Sequence, residues 1–368
     1  MRKLTVPYVD LRMQNKPYGP ALHDALDKIL LSGNFILGDA VESFEQEVCN
    51  QLGCADCIGV GSGTDALFLA LKALGIGDGD EVITVSNSYL ASVSSIALTG
   101  ATPVLADVND DLNIDCSGVE TLITERTRAL ICVHLTGSPA NLDALSRICS
   151  IHSIHLIEDC AQAIGASYRG QSVGNFGVMG CFSMHPLKNL GVLGDGGFIT
   201  TNEPRLTEAL RLARNHGHSS RDDCKFWSHN MRLDALQASF ASVKLAGLTK
   251  VIEARQRLAS IYLRNLSDVN QIILPTHLKE SMPAYHTFVI RCEARDELSQ
   301  FLLDNGVETK IHYPYPVHKM AVGRKYFGSI YLPKTEVYAT QILSLPVGEY
   351  LEETQIHYVC RLIKDFYT

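Results

Sequence analysis

Short apolar runs alternate with helical patterns between about residues 56 and 200, and this alternation constrains the fold more than any other feature of the sequence. Strands are predicted at residues 57–61, 81–85, 102–106, 129–134, 154–158, 180–183 and 197–200, and helices at 64–74, 88–98 and 142–152. In the first of these helices Ala66, Ala70 and Leu74 recur at helical spacing, as on a face that packs into a core. The alternation predicts an α/β fold whose mostly parallel sheet is covered on both faces.

The length of the chain predicts a second domain, because 368 residues exceed what one simple core usually holds. Helical patterns cover residues 235–245 and 251–266. They are followed by strands predicted at 286–292 and 308–313 and a helix predicted at 295–305. We therefore predict a large domain at residues 1–245, which includes an N-terminal helical arm, and a small α/β C-terminal domain at residues 246–368. A long helix is expected to connect them.

The composition argues against two classes of partner. The formal net charge of -8 does not suit a nucleic-acid-binding protein, which usually carries a basic excess or patch. No apolar run reaches the roughly 18 residues that span a bilayer, so we expect no membrane. The N-terminus lacks the apolar stretch of an export signal. We therefore interpret the 11 scattered cysteines as reduced, mostly buried thiols of a cytoplasmic protein.

Two groups of residues resemble metal ligands. One is the pair Cys54 and Cys57, and the other is Cys149 with His152 and His155. Structural zinc sites take four ligands in matched pairs, and the cysteine pair has no obvious second pair. Cys149 belongs to a predicted helix, whereas His155 opens the next strand, so their side chains are expected to diverge. We interpret both groups as core packing and predict no metal site.

Lys188 and Asp159 are the residues that most strongly indicate a chemistry. Lys188 lies in a segment that a glycine-rich loop follows at residues 194–197, and Asp159 ends a predicted strand. Pyridoxal phosphate needs a lysine for a Schiff base and an acidic partner for its ring nitrogen. Ligands also collect at the carboxyl ends of strands in open α/β sheets. Without this context, Lys188 would be a solvated surface lysine and Asp159 a helix N-cap.

A phosphate cradle is predicted at residues 61–66, where Gly-Ser-Gly-Thr-Asp-Ala lies between a strand and a helix. Helix N-termini present free N–H groups to an anion, and glycine allows the backbone to approach it. Ser183 can add a hydroxyl from the segment that carries Lys188. In the predicted site Tyr89, which follows another strand, is placed to stack on the ring, although an isolated tyrosine would more often be core.

The same six residues also fit the G-x-G-x-x-A pattern of dinucleotide-binding proteins, so a nicotinamide-dependent dehydrogenase is the rival interpretation. The acidic residues at a suitable spacing, Asp80 and Glu81, precede the next strand instead of ending it. A dehydrogenase would also leave Asp159 and Lys188 without a role.

Over nearly its whole length the chain resembles the DegT/DnrJ/StrS family of pyridoxal-phosphate-dependent nucleotide-sugar aminotransferases. The most specific runs are Glu158-Asp159-Cys160-Ala161-Gln162-Ala163 and residues 182–191 around Lys188. Further similar runs lie at residues 6–11, 62–67, 77–83, 100–104, 134–137, 214–217, 230–234 and 311–314. The resemblance implies a type I fold, like that of aspartate aminotransferase, with a large mixed and mostly parallel sheet domain and a smaller α/β C-terminal domain.

The resemblance also implies a role for each matching residue. Lys188 would link covalently to the cofactor and act as the catalytic residue. The cofactor would be bound by Gly63, Thr64, Tyr89, Asp159, Gln162, Ser183, Lys188 and Asn230. Asn230 would reach the phosphate of the neighbouring subunit's cofactor, so a homodimer with shared active sites is expected. The substrate would be bound by Arg232, His312 and Tyr313.

The activity implied is transfer of an amino group from L-glutamate to a keto group of a nucleotide-diphosphate-linked sugar, for amino-sugar biosynthesis. The opening residues 6–11, residues 87–89 and the run at 311–314 favour C3 over C4. This sequence departs from the usual residues of the family at Met184, at Leu187 and at residues 136–138. The departure at residues 136–138 concerns the edge of the substrate-binding site. A non-nucleotide cyclic ketone as substrate and a cofactor-binding regulatory protein remain as alternatives.

Overall fold

A sheet of seven strands forms the centre of the computed structural model, which describes residues 5–368. Its strands in chain order are β1 (Asp56–Val60), β2 (Glu81–Val85), β3 (Thr102–Ala106), β4 (Thr127–Val133), β5 (His155–Asp159), β6 (Met179–Ser183) and β7 (Gly197–Thr201). Their order in space is β1-β7-β6-β5-β4-β2-β3. Within this sheet β7 runs antiparallel to both of its neighbours, and the other pairs are parallel. The predicted mixed, mostly parallel sheet is confirmed.

Helices flank both sheets and include every helix that the periodicity predicts. The α-helices are Leu11–Asn15, Gly19–Ser32, Asp39–Leu52, Gly63–Ala73, Ala91–Leu98, Cys116–Val119, Leu142–His152, Pro204–Ala213, Ala235–Leu245, Leu248–Asn265, Arg295–Asp304, Ala321–Phe327, Pro333–Gln341 and Glu353–Tyr367. None of them combines the length and the apolar character that a membrane span requires.

A second sheet of three antiparallel strands lies in the C-terminal part of the chain. It contains Ile272–Ile273, β8 (Phe288–Cys292) and β9 (Ile342–Leu345). The prediction of a strand at residues 308–313 is wrong. Only Lys310 forms an isolated bridge there, with Ser344 of β9, and Pro314, which has no N–H to donate, follows closely. Short two- or three-residue strands complete the structure at Ser167–Tyr168, Gln171–Ser172, His218–Ser220, Asp223–Cys224 and Ser281–Met282.

The helix Leu248–Asn265 contributes to two hydrophobic cores. Near its start Leu248 and Ile252 pack into the core of the central sheet. Further along, Leu258 and Tyr262 pack into a separate core around the second sheet. One helix therefore ties the two parts together, and we propose that residue 245 ends the large domain and residue 246 begins the small one.

Candidate active site

A cleft with an empty volume of about 1080 Å³ lies beside the carboxyl ends of the parallel strands. The predicted site residues that line it are Gly63, Thr64, Tyr89, Asp159, Gln162, Ser183, Lys188, His312 and Tyr313. They come from strand ends, the start of a helix and loops that are far apart in sequence. The parallel sheet brings them together because the carboxyl ends of its strands share one edge.

Lys188 is half-buried in this cleft, on the connection between β6 and β7. Its backbone N–H donates to the carbonyl oxygen of His185 over 2.8 Å, which fixes the start of the turn. Burial lowers the pKa of the Lys188 amine from 10.5 to about 8, and the negative charge of Asp159 opposes that change. An amine with a pKa near 8 is partly neutral at pH 7, so it can act as a nucleophile and as a proton carrier.

Asp159 ends β5 and is 5% exposed. Its Oδ1 accepts a hydrogen bond from the backbone N–H of Ala161 over 3.1 Å, and its Oδ2 accepts one from the Ser92 hydroxyl over 2.7 Å. Burial has the largest effect and leaves the pKa of this carboxyl above its ordinary value, although the Ser92 and Ala161 hydrogen bonds and the charge of Lys188 lower it. The carboxylate thus has fixed partners and a cationic neighbour in the cleft.

The helix Gly63–Ala73 begins at the cleft, and its first turn forms a cradle. The Ser62 hydroxyl caps the helix by accepting from the Asp65 N–H over 3.1 Å. The first N–H groups of a helix have no partner within it, so they are free for an anion. A Cβ atom at position 63 would lie 2.7 Å from the Cβ of Ser183, so only glycine lets this turn approach the Ser183 segment.

Gln162 and two tyrosines form another wall of the cleft. Gln162 accepts from the Thr136 N–H over 2.7 Å and donates to the Tyr313 hydroxyl over 3.1 Å. The rings of Tyr89 and Tyr313 lie 6.0 Å apart at an angle of 48°. Tyr89 is 56% exposed, which leaves the face of its ring free to contact a planar group.

The imidazole of His312 lines the cleft, and contacts with Ser344 and Tyr8 fix its orientation. Its Nδ1 lies 2.9 Å from the Ser344 hydroxyl and 3.5 Å from the Tyr8 hydroxyl. The Tyr8 and His312 rings also stack, with centroids 5.8 Å apart. Burial lowers the pKa of His312 to about 4, and the charges of Lys188 and Lys310 add to that effect. The imidazole is therefore neutral at pH 7.

Asn230 and Arg232 are the predicted site residues that do not line the cleft. Asn230 is exposed and pairs through its backbone with Asn215. The Arg232 guanidinium donates to Asn215 Oδ1 over 3.1 Å, and its backbone pairs with Val60 of β1. Both lie beside the strand that leads to the cradle, and their roles stay predictions.

Several cleft residues escaped the sequence analysis. The lining also includes Ser62, which the predicted cradle contains without a role of its own, and Ser88, His185, Asp195 and His286. The first four lie within four residues of a predicted site residue or in the glycine loop, so their position in the sequence is a usable signal. His286 opens the strand predicted at 286–292, and nothing in that pattern distinguishes it from a core residue.

One buried group among the described residues, His134, Glu158 and Cys160, has its side-chain atoms close enough together to hold a metal ion. The polar members already have partners. His134 lies 3.0 Å from Glu158, and Glu158 also accepts from three backbone N–H groups, those of Gly174, Phe176 and Gly177. We interpret the group as a structural anchor for the loop after β5. Neither cysteine pattern noted in the sequence forms such a group within residues 5–368.

Comparison with known proteins identifies the class of this fold and site. The model of the DegT/DnrJ/EryC1/StrS aminotransferase family matches residues 19–364. A dTDP-3-amino-3,4,6-trideoxy-alpha-D-glucose transaminase of Streptomyces venezuelae is 40% identical over 366 residues, which is 98% of this chain and 96% of the relative. A protein of Geobacillus stearothermophilus named as a pleiotropic regulatory protein is 39% identical and covers 99% of both chains.

Among solved structures, that of S. venezuelae DesV in complex with a ketimine intermediate superimposes with a TM-score of 0.96 at 40% identity. The match covers 99% of this chain and 98% of the DesV chain. The protein is thus an α/β enzyme of the aminotransferase class, and the predicted type I fold is confirmed. The chain belongs to the DegT/DnrJ/EryC1/StrS aminotransferase family.

Proposed function

We propose that this chain is a pyridoxal 5'-phosphate-dependent aminotransferase that moves an amino group from L-glutamate to a keto group of a nucleotide-diphosphate-linked keto-sugar. The observation that carries the proposal is that Lys188, whose amine pKa is lowered to about 8, lines the same cleft as the hydrogen-bonded carboxylate of Asp159. An amine that is partly neutral and an ionised carboxylate are what the aldehyde and the ring nitrogen of this cofactor require.

The residues present fit the cofactor in three respects. The close approach of Gly63 to Ser183 leaves a cradle that a Cβ would fill, and the helix N-terminus beside it suits a phosphate. Asp159 would hold the ring nitrogen, and Tyr89 would cover one ring face. When bound, pyridoxal phosphate would supply the electron sink that stabilises negative charge at the amino acid's Cα.

The chemical step would then depend on Lys188. Its amine would hold the cofactor between turnovers and, once displaced by the amino donor, would carry a proton between Cα and the cofactor carbon. A pKa near the working pH suits a group that both accepts and returns a proton. The neutral His312 and the Tyr313 hydroxyl would contact the sugar, since both lie in the cleft and have fixed orientations.

We favour C3 over C4 as the carbon that receives the amine, for the production of amino sugars. The Streptomyces relative is named for a 3-amino sugar, and two of the three motifs that favoured C3 contribute to the cleft lining, at residues 88–89 and 312–313. A non-nucleotide cyclic ketone is the alternative substrate. Incubation with 3-keto and 4-keto forms of the same nucleotide sugar, followed by NMR of the product, would distinguish these cases.

The assembly proposed is a homodimer with shared active sites in the cytoplasm. Asn230 is exposed and outside its own cleft, as expected for a residue that serves the neighbouring one. The cysteines are free, as in a reducing compartment.

Mixing a Lys188→Ala chain with an Asn230→Ala chain tests whether the active sites are shared. Each variant alone should be inactive, and mixed dimers should regain activity, because one of their two sites then has both residues. If activity is not recovered, Asn230 serves the site of its own chain. If the Asn230→Ala chain is active alone, Asn230 lies outside both sites.

A regulatory role is the second candidate, since the Geobacillus relative is named as a regulatory protein. The deciding experiment is the absorbance spectrum of the protein with pyridoxal phosphate, before and after L-glutamate is added. Loss of the yellow lysine-bound form on addition of glutamate would support the transaminase. Binding without any response to amino donors would favour the regulatory role, and failure to bind would overturn the proposal.

A further inference from the structure

Two serine hydroxyls form a chain that ends on Asp159. Ser92 lies in the helix Ala91–Leu98, and its Oγ donates to Asp159 Oδ2 over 2.7 Å. The Ser88 Oγ lies 2.8 Å from the Ser92 Oγ. A hydroxyl has a single proton, and that of Ser92 is used on Asp159. Ser88 must therefore donate to Ser92, and both hydroxyl dipoles point toward the carboxylate.

We propose that Ser92, supported by Ser88, is a positioning residue that keeps Asp159 ionised and oriented toward the ring nitrogen of the cofactor. The inference rests on the proposed function, because it assumes that Asp159 meets that nitrogen. It concerns a residue with a small polar side chain that does not line the cleft itself. Ser92 thus acts through Asp159 and not by touching substrate or cofactor.

The surroundings explain why such support is needed. Asp159 is buried, and burial favours the neutral acid, which could not hold a proton on the ring nitrogen. The hydrogen bond from Ser92 is the largest influence that lowers the pKa of Asp159, followed by the Ala161 N–H and the charge of Lys188. Lys188 changes its bonding during turnover, whereas the serine hydroxyls are buried and constant. A chain of hydrogen bonds aligned toward a charge is also cooperative.

Ser95 provides a matched control in the same helix. It is buried like Ser92, but its hydroxyl has no hydrogen-bond partner. Ser92→Ala and Ser95→Ala therefore remove the same atom from the same helix, and only the first removes a bond to Asp159. Ser92→Cys adds a second comparison, because a thiol fills the space but is a weak donor.

The test uses the purified protein with pyridoxal phosphate that carries ¹⁵N in its ring. The ¹⁵N chemical shift reports whether the ring nitrogen is protonated, independently of turnover. We expect Ser92→Ala and Ser92→Cys to shift the signal toward the unprotonated form and to weaken cofactor retention by about tenfold, as for a lost hydrogen bond to a charged group. Ser88→Ala should shift the ¹⁵N signal less than Ser92→Ala does, and Ser95→Ala should leave the signal unchanged.

The outcomes separate the two proposals. A wild-type protein whose cofactor is not linked to Lys188 would overturn the proposed function. A linked cofactor with a protonated ring nitrogen, unchanged in Ser92→Ala, would overturn only the positioning role. Equal changes in Ser92→Ala and Ser95→Ala would also overturn it, because loss of helix packing would then be the cause.

Discussion

The Gln162 amide donates to the Tyr313 hydroxyl over 3.1 Å. This bond joins the loop after β5 to the segment between the helices Arg295–Asp304 and Ala321–Phe327. The other end of the same amide accepts from the Thr136 N–H after β4. Both ends of Gln162 are therefore used within the protein. Tyr313 gains a fixed orientation in the cleft from a residue 151 positions away in the sequence.

Removal of the Tyr313 hydroxyl should impair sugar binding. In Tyr313→Phe the Gln162 amide loses its acceptor, and we expect kcat/KM for the keto-sugar to fall by about tenfold, the cost of one buried hydrogen bond. Steady-state kinetics with the sugar varied at saturating amino donor would measure this. Tyr315→Phe is the control, since Tyr315 is 67% exposed and outside the cleft lining. Similar losses in both variants would contradict the prediction.

Covalent capture of the cofactor should select Lys188 over Lys244. Burial lowers the pKa of both lysines to about 8, so their intrinsic reactivity is similar. Only Lys188 lines the cleft, whereas the Lys244 amine donates to the Gly191 carbonyl. Borohydride reduction followed by peptide mass spectrometry should find the cofactor on Lys188. Lys188→Ala should retain the cofactor without a covalent bond and show no transamination. Normal turnover by that variant would reject the assignment.

The rate of cofactor capture by the cofactor-free protein should depend on pH through Lys188. Its pKa is lowered from 10.5 to about 8, so the amine is protonated below about pH 8 and neutral above it. Only the neutral amine attacks an aldehyde. The rate should therefore rise with pH, reach half of its maximum at about pH 8 and then level off. Stopped-flow absorbance would follow it, with Lys188→Ala as the blank. A midpoint near pH 10.5 would show that burial does not lower this pKa.

Gly63→Ala should weaken cofactor binding. The added Cβ would lie 2.7 Å from the Ser183 Cβ, so the cradle and the Ser183 segment must separate. Overpacking of this kind costs about 1–3 kcal/mol, which corresponds to roughly 5- to 150-fold in affinity if it falls on the bound state. Fluorescence titration with pyridoxal phosphate would measure it. Gly118→Ala is the control, since no atom lies within 4 Å of its Cβ position. Equal affinities for Gly63→Ala and the wild type would count against the cradle.

Glu158→Gln should destabilise the fold. The Glu158 carboxylate is fully buried and accepts hydrogen bonds from His134 and from three backbone N–H groups. An amide replaces one acceptor oxygen with a donor that faces other donors, and we expect a loss of about 3 kcal/mol in the free energy of unfolding. Chemical denaturation would measure it, with the exposed Glu125→Gln as the control. An unchanged free energy would mean that these bonds contribute little.

The parts of the site that the sequence could predict lie at the ends of regular elements. Asp159 ends β5, and Lys188 follows β6, so strand periodicity together with residue chemistry placed both. The contact between Ser92 and Asp159 could not be predicted, because it depends on the rotation of a helix and joins residues 67 positions apart. Residues 308–313 have the composition of a strand, yet only Lys310 meets a partner strand. The pattern of apolar and polar residues in a short segment does not specify whether that segment pairs with the edge of a sheet.

The helix Leu248–Asn265 has a consequence for how this protein can be altered. Its two ends are embedded in different cores, so a chain cut near residue 245 would leave each fragment with an unfilled apolar surface. Val6, close to the N-terminus, adds to this by packing in the core of the C-terminal part. The beginning and the end of the polypeptide are therefore needed to complete the same interior. Neither part is therefore expected to fold when it is expressed without the other.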